Sequence, residues 1–342
     1  ATEMSVMWRV YPEYNNSYAR IYFSSNASSP VVGNSWTITS NASGNTPDLR
    51  TNIQYADFSY FQKNEYGRIS KIGANTFSNY TKLKSVILPY RKGFEIGDYA
   101  FYGCNSLTSV YAYTNAKDDA LSAEGLMYVS NVGVKAFMGT SIRCSKIGTD
   151  ALSFGTISKQ AFYGCTGITE LTIDYVSKID EQAFEDCSNL ARLTFGDRVY
   201  TIGNYAFKGC DNLQAIHIGK NVPKYTSWNT IFPASLGALE TITVSADNAN
   251  YLSTATNCLV DKKDFTLYLG TNSSVIPNTV KIIGVDAFNG CSGLSTINIP
   301  ASVTEIRGNA FLNCTRLASV WCESETPASI QTTSFKNIYS DA

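Results

Sequence analysis

The only histidine of the chain, His217, is the residue best suited to acid–base or nucleophilic catalysis. A Ser-His-Asp or Cys-His arrangement would have to be assembled around it. His217 stands between Ile216 and Ile218, however, where alternation predicts a strand with one outward polar side chain. The sequence contains no Walker loop, GxGxxG or HExxH motif, and its carboxylates form no convincing pair. We therefore expect no enzyme activity and no catalytic residue.

Nine cysteines are the other residues with reactive potential. No CxxC pair occurs, so we predict no zinc site, and neither a metal nor a cofactor is expected. Neighbouring rungs of a repeat, about 5 Å apart, would permit disulfides by distance, but a position that recurs favours small buried thiols. The six cysteines at one recurring position are Cys104, Cys165, Cys187, Cys210, Cys291 and Cys314. Cys144, Cys258 and Cys322 fall off that position and are the better candidates for pairing.

One phrase recurs along the chain: Ile, three residues, Ala-Phe, two residues, Cys, two residues, Leu, then an apolar-x-apolar strand. It runs in full from Ile202 through Phe207 and Leu213 to Ile218. Other copies centre on Phe77, Phe101, Phe162, Phe184, Phe288 and Phe311, and degenerate or incomplete ones on Phe137, Phe232 and Phe335. One unit of this length cannot bury its strand and its Ala-Phe turn alone, so neighbouring units must stack.

The phrase resembles that of the BspA-like leucine-rich-repeat family, which is found on bacterial surfaces, notably in Bacteroidetes. The resemblance covers about residues 68–342 and implies a leucine-rich-repeat solenoid. That solenoid would be a curved stack of short β-strands with turns or short helices on the other flank. It also implies an exported protein that binds other proteins in adhesion, without naming a ligand.

Two parts of the chain depart from the repeat. Rungs near 113–158 and 233–282 are expected to be irregular, the second resembling a strand pair that is inserted in this family. Residues 1–67 lack the phrase but hold alternating runs at 6–10, 19–23 and 35–39, which predict an N-terminal β-rich cap or small module. The chain is thus divided into a cap at 1–67 and a solenoid at 68–342.

Charge and hydropathy narrow the choice of partners. Lys and Arg total 27 against 28 Asp and Glu, with no basic run, so nucleic acid is not an expected partner. No segment approaches the roughly 20 apolar residues of a transmembrane helix. We expect an extracellular or cell-surface location, and leave free secretion and a lipid anchor as alternatives.

The outward positions of successive strands form the predicted binding face, about 40 Å long if strands stack at the usual spacing. A column of uncharged polar residues is equally consistent with a merely solvated surface. The predicted ligand-binding residues are Tyr111, Tyr113, Glu170, Thr172, Arg192, Thr194, His217, Thr243, Asn298 and Trp321. Exposed Tyr, Trp and Arg often dominate binding energy, so this face is expected to bind a host or bacterial surface protein. The alternative is a glycan-binding accessory surface protein, since aromatic rings can pack on sugar faces.

Overall fold

The computed structural model describes residues 6–9, 19–23, 53–57, 71–88, 93–112, 126–127, 129–148, 155–233, 236–252 and 255–338. The chain forms two compact units, Ala1–Cys187 and Ser188–Ala342, and each is considered by itself. Within the described residues the units consist of short strands and turns, with a single 3-10 turn at Trp228–Thr230. No described helix is long and apolar enough to cross a membrane.

The first unit contains thirteen described strands. They are β1 (Val6–Arg9), β2 (Ala19–Phe23), β3 (Ile53–Asp57), β4 (Lys71–Ile72), β5 (Ser85–Leu88), β6 (Glu95–Ile96), β7 (Ser109–Ala112), β8 (Leu126–Met127), β9 (Asn131–Val132), β10 (Lys146–Ile147), β11 (Gly155–Ile157), β12 (Glu170–Ile173) and β13 (Val176–Ile179). Strands β1-β2-β3-β5-β7 form one sheet, β4-β6-β9-β11-β13 a second, and β8-β10-β12 a third. Among the described strands of this unit, β1 and β2 pair antiparallel and the other paired strands are parallel.

The second unit contains eleven described strands. They are β14 (Arg192–Phe195), β15 (Thr201–Ile202), β16 (Ala215–Ile218), β17 (Thr241–Val244), β18 (Leu259–Val260), β19 (Thr266–Leu269), β20 (Ile282–Ile283), β21 (Thr296–Ile299), β22 (Glu305–Ile306), β23 (Ser319–Cys322) and β24 (Ser329–Ile330). Strands β14-β16-β17, β18-β19-β20-β22-β24 and β21-β23 are hydrogen-bonded neighbours. The predicted inserted strand pair is confirmed: β18 and β19 pair antiparallel, and β19 then pairs in parallel with β20.

Alternating side chains decide which face of each strand is buried. In β7, Val110 and Ala112 are fully buried while Ser109 and Tyr111 are only partly so. In β16, Ile216 and Ile218 are fully buried and His217 lies between them on the outside. Successive side chains of a strand point to opposite faces, so two residues of each of the strands β5, β7, β12, β14, β16, β17 and β21 belong to the core.

The recurring phenylalanines form a ladder inside the turns. In the first unit Phe77, Phe101, Phe137, Phe162 and Phe184 are buried and stack ring on ring, with centroids 5.0–5.3 Å apart. In the second unit Phe288, Phe311 and Phe335 stack at 5.0 and 4.8 Å. These phenylalanines belong to the core, as the repeat predicts.

The turns themselves pair with one another. Tyr99, Phe101 and Gly103 donate their backbone N–H groups to the carbonyls of Val134, Ala136 and Met138, at 2.8, 2.8 and 2.9 Å. Tyr99 and Gly103 hold left-handed conformations, with φ of 55° and 69°, and the equivalent residues of most other described turns do the same, except Thr230 and Thr333. The turn backbone is therefore satisfied by its neighbour in the stack, as a buried backbone requires.

The rung near Phe137 is more regular than the sequence suggests. Phe137 stacks between Phe101 and Phe162 at 5.1 Å from each, although 36 residues separate it from Phe101. Thr140, which replaces the usual cysteine, is buried, and its hydroxyl donates to the carbonyl of Phe137 at 2.8 Å. The turn thus keeps the frame, and much of the extra length of 113–158 falls outside the described residues.

The proposed division at residue 67 stays a prediction. Strand β3, which precedes that residue, pairs in parallel with β5, which follows it. The predicted strands at 6–10 and 19–23 correspond to β1 and β2, whereas 35–39 lies outside the described residues.

Candidate functional site

Within each unit, the outward positions of the four-residue strands form a surface that we call the strand face of that unit. In the first unit it comprises Ile87, Tyr111 and Thr172, and in the second unit Thr194, His217, Thr243, Asn298 and Trp321. These residues are partly or fully exposed, and all but Trp321 have strongly buried neighbours in their own strand. The alternation read from the sequence therefore places this predicted set on the outside.

Three predicted residues meet on adjacent strands of the second unit. Thr194, His217 and Thr243 are directly opposite one another in β14, β16 and β17. His217 Nδ1 lies 2.9 Å from the hydroxyl oxygen of Thr243, within hydrogen-bonding distance. The partner is a hydroxyl and not a carboxylate, so this contact does not orient the imidazole as an acid–base triad would. Arg192 lies two positions before Thr194 and is exposed.

Asn298 and Trp321 are brought together in the second unit on β21 and β23, where they are directly opposite. The amide of Asn298 donates to Glu323 Oε1. Trp321 has 70% of its surface exposed, and its neighbour Val320, at an inward position, is 38% exposed. No described strand follows β23 in its sheet. Trp321 is therefore exposed both because its side chain points outward and because β23 lies at the open edge of the sheet.

The first unit holds the remaining predicted residues. Tyr111 lies opposite Ile87, and Thr172 lies opposite Lys146 in β10. Lys146 Nζ lies 3.5 Å from Asp174 Oδ2 at the end of the same pair of strands. Glu170 begins β12 and is exposed. Tyr113 lies outside the described residues.

The recurring cysteines form a ladder of buried thiols. All nine cysteines are free, and all but Cys322 are buried. The thiols of Cys104, Cys165 and Cys314 donate to the carbonyl of the phenylalanine one rung earlier, at 2.9, 3.2 and 3.1 Å. Burial raises the pKa of each of these three thiols to about 12. The predicted burial is therefore confirmed, and the position supplies a weak donor to an otherwise buried carbonyl.

The off-ladder cysteines do not pair in this structure. Cys144 and Cys258 are buried, and Cys322 is exposed. Desolvation raises the pKa of Cys144 to about 12 and that of Cys258 to about 11. Across the described ranges, no group of three or more His, Cys, Asp or Glu side chains could hold a metal ion.

The inserted strand pair carries an ionic cluster that the sequence did not reveal. Lys224 Nζ lies 3.0 Å from Asp261 Oδ2, 2.9 Å from Asp264 Oδ2 and 5.3 Å from the centre of the Tyr268 ring. Partial burial raises the pKa of Asp264, but the hydrogen bonds from Lys224 and Thr266 and the charge of Lys224 together outweigh that effect and lower the pKa to about 2. Asp261 is buried and accepts the backbone N–H groups of Lys263 and Asp264, so the cluster fixes the hairpin turn.

Stacked parallel strands, a phenylalanine ladder and a thiol ladder define a leucine-rich-repeat protein built as a parallel β-solenoid. The sequence profile described as "BspA type Leucine rich repeat region" matches this chain in six copies, over residues 44–122, 128–255 and 260–340. The chain belongs to this BspA-type leucine-rich-repeat family, which confirms the resemblance seen in the sequence. The match begins at 44, ahead of the expected start at 68.

Several solved structures are similar to the chain at low identity. A leucine-rich cell-surface protein from Faecalibacterium prausnitzii is 24% identical, with a TM-score of 0.44, over 94% of this chain and 76% of that one. A leucine-rich-repeat protein from Bacteroides ovatus is 18% identical, with a TM-score of 0.39, over 97% and 89%. The pneumococcal vaccine antigen PcpA is 14% identical, with a TM-score of 0.40, over 93% and 70%. Among curated proteins, none matches this chain.

Proposed function

We infer that this protein is a secreted or cell-surface binding protein, and that its strand face recognises a protein on a host or bacterial surface. The observation that supports this most directly is the row Thr194, His217 and Thr243, aligned on three neighbouring strands. The core does not use these side chains, and a rigid sheet holds them at fixed spacing. Pre-organised side chains of this kind lose little entropy when a partner docks.

Trp321 is the side chain best suited to anchor such a partner. Tryptophan is among the residues that most often carry binding energy, and 70% of this one is exposed next to Asn298. The mixture of hydroxyl, amide, imidazole and indole groups suits a protein surface that offers both polar and apolar contacts. A catalytic function has no comparable support, because His217 contacts a threonine hydroxyl.

Biolayer interferometry against purified extracellular-matrix proteins and purified bacterial surface proteins tests this function. Wild type is compared with Trp321→Ala, His217→Ala and the double variant, and Tyr200→Ser serves as control because Tyr200 is exposed but lies off the strand face. The double variant is expected to weaken a specific complex by at least about tenfold, as loss of an anchor residue does. If none of these three variants weakens the complex, the binding surface lies elsewhere on the protein.

A further inference from the structure

The turns of the first unit contain a shallow groove that the proposed function does not use. Its volume is about 340 Å³, near the lower end of the roughly 300–1,000 Å³ usual for small-ligand sites. It runs across four successive turns, those of Phe77, Phe101, Phe137 and Phe162. The residues that line it come from the turns and not from the strand face.

The side chains along this groove differ from those at the same position elsewhere. The residue that follows the ladder phenylalanine is Tyr102, Met138 and Tyr163 in three of the four turns of the groove. The same position holds Ser78 in the fourth turn of the groove, and it holds Glu185, Lys208, Pro233, Asn289, Leu312 and Lys336 in the other described turns. Two tyrosines on either side of a methionine thus occur together only in this part of the described solenoid.

Glycines keep the floor of the groove open. Gly103, Gly139 and Gly164 occupy the left-handed position of their turns, with φ of 69°, 76° and 69°. A Cβ atom at Gly164 would meet no atom within 4 Å, and one at Gly139 would meet Asn105 Oδ1 at 3.8 Å. At Gly103, by contrast, a Cβ atom would lie 2.5 Å from Asn79 Oδ1, so the space is open above Gly139 and Gly164 and is occupied by the Asn79 side chain above Gly103.

The chemistry of the lining points to one class of ligand. No residue that lines the groove is charged, and the polar ones are amides and hydroxyls such as Asn79, Thr81 and Asn105. Tyrosine offers a flat apolar face with a polar edge, and amides can donate and accept with neutral hydroxyl groups. An ionic ligand would find no counter-charge among these residues. We propose that this groove binds a neutral oligosaccharide.

The spacing of the rungs fits an extended sugar chain. Tyr102 and Tyr163 are two ladder steps of 5.1 Å apart, which places them roughly 10 Å from each other along the stack. Sugar rings of an extended oligosaccharide repeat at about the interval of one rung, so the two tyrosines meet alternate rings. A larger groove in the second unit, about 580 Å³, lacks any aromatic lining and includes the carboxylate of Asp211.

Isothermal titration calorimetry with the intact chain tests the proposal. The probes are neutral hexasaccharides of glucose, mannose and N-acetylglucosamine, with a sulfated and a uronate-containing hexasaccharide for comparison. Wild type is expected to bind at least one neutral probe, with an affinity that salt does not change because no ion pair forms. The charged probes are expected not to bind.

Two independent variants identify the groove as the site. Tyr102→Ser with Tyr163→Ser removes both rings and installs the residue found at Ser78, and it should weaken binding by about tenfold or more. Gly164→Asn fills the groove without backbone strain, because Asn79 holds the same turn position with φ of 63°. Gly164→Asn should weaken binding by a similar factor, and it tests the groove on its own if the double tyrosine variant fails to fold.

The matched controls lie in the second unit. Gly209→Asn changes the same turn position there, and Tyr200→Ser removes an exposed tyrosine; both should bind as wild type does. Absence of binding to every neutral probe, binding that the groove variants leave unchanged, or binding only to charged probes would overturn the proposal. Because the strand-face variants Trp321→Ala and His217→Ala leave the groove intact, either site can fail without the other.

Discussion

Replacement of Phe162 by alanine is the most direct test of how the stack is held together. Phe162 is fully buried and stacks on Phe137 at 5.1 Å and on Phe184 at 5.0 Å. The substitution leaves a cavity flanked by two aromatic rings whose backbones are tied by turn-to-turn hydrogen bonds, including that from Phe162 N to Ala183 O at 2.8 Å. The site can therefore collapse only slightly.

Phe162→Ala should lower the free energy of unfolding by about 4 kcal/mol, in the upper part of the range observed for replacement of a buried phenylalanine by alanine. Phe335→Ala is the matched control, since Phe335 is partly exposed and stacks on only one ring, Phe311, at 4.8 Å. It should lose about 1–2 kcal/mol, because less apolar area and one stacking contact are removed.

Urea unfolding followed by circular dichroism and by intrinsic fluorescence measures both changes. Repeat proteins can unfold in more than one step, so the transition reported by each probe is fitted separately. Two results would refute the reasoning: a loss below about 1 kcal/mol for Phe162→Ala, or equal losses for the two variants. Either would mean that the ladder does not form a continuous packed core.

Three further predictions concern reactivity, acid stability and close packing. At pH 8 a thiol reagent should label Cys322 rapidly and the eight buried cysteines only on unfolding, which a count of labelled thiols by mass spectrometry checks. The pKa of Asp264 is lowered to about 2 by Lys224 and Thr266, so this carboxylate should contribute its full stabilisation above about pH 4 and lose it as the pH falls through 2. Asp264→Asn should therefore flatten the acid-unfolding curve in that window, and an unchanged curve would contradict the ion pair. Gly270→Ala would place a Cβ 2.0 Å from the ring of Phe288, so it should lower the melting temperature strongly, whereas an unaltered melting temperature would show that the ring moves freely.

The stack could be predicted from sequence because its signal is local and repeated. Each copy of the phrase carries its own inward residues, such as Ile202, Phe207 and Leu213, and all three are buried. The alternation of apolar and polar residues also predicted that His217 points outward, because side chains alternate between the two faces of a strand and both neighbours of His217 are buried. The inserted strand pair was recognised for the opposite reason, since the period fails there.

The ionic cluster and the backbone of the turns could not be predicted in this way. Lys224 and Asp264 are 40 residues apart and meet only because the hairpin folds back on the chain. Tyr99 and Tyr205 adopt left-handed conformations that the side chain itself disfavours, and the neighbouring turns impose them. The ionic cluster has no signal in the residues alone, and at the turns only the positions that hold Gly or Asn, such as Gly103 and Asn79, signal the left-handed conformation.

The sequence by itself determined the repeat, the core residues and the outward column, since each depends on spacing within one rung. Only the tertiary structure decided which outward or turn residues become neighbours, because that depends on how rungs of unequal length align. Tyr102, Met138 and Tyr163 share a groove although 36 and 25 residues separate them, and backbone hydrogen bonds between turns hold them in line. The unequal loops between those turns leave the alignment unchanged, because the pairing of backbone groups, not chain length, sets the register.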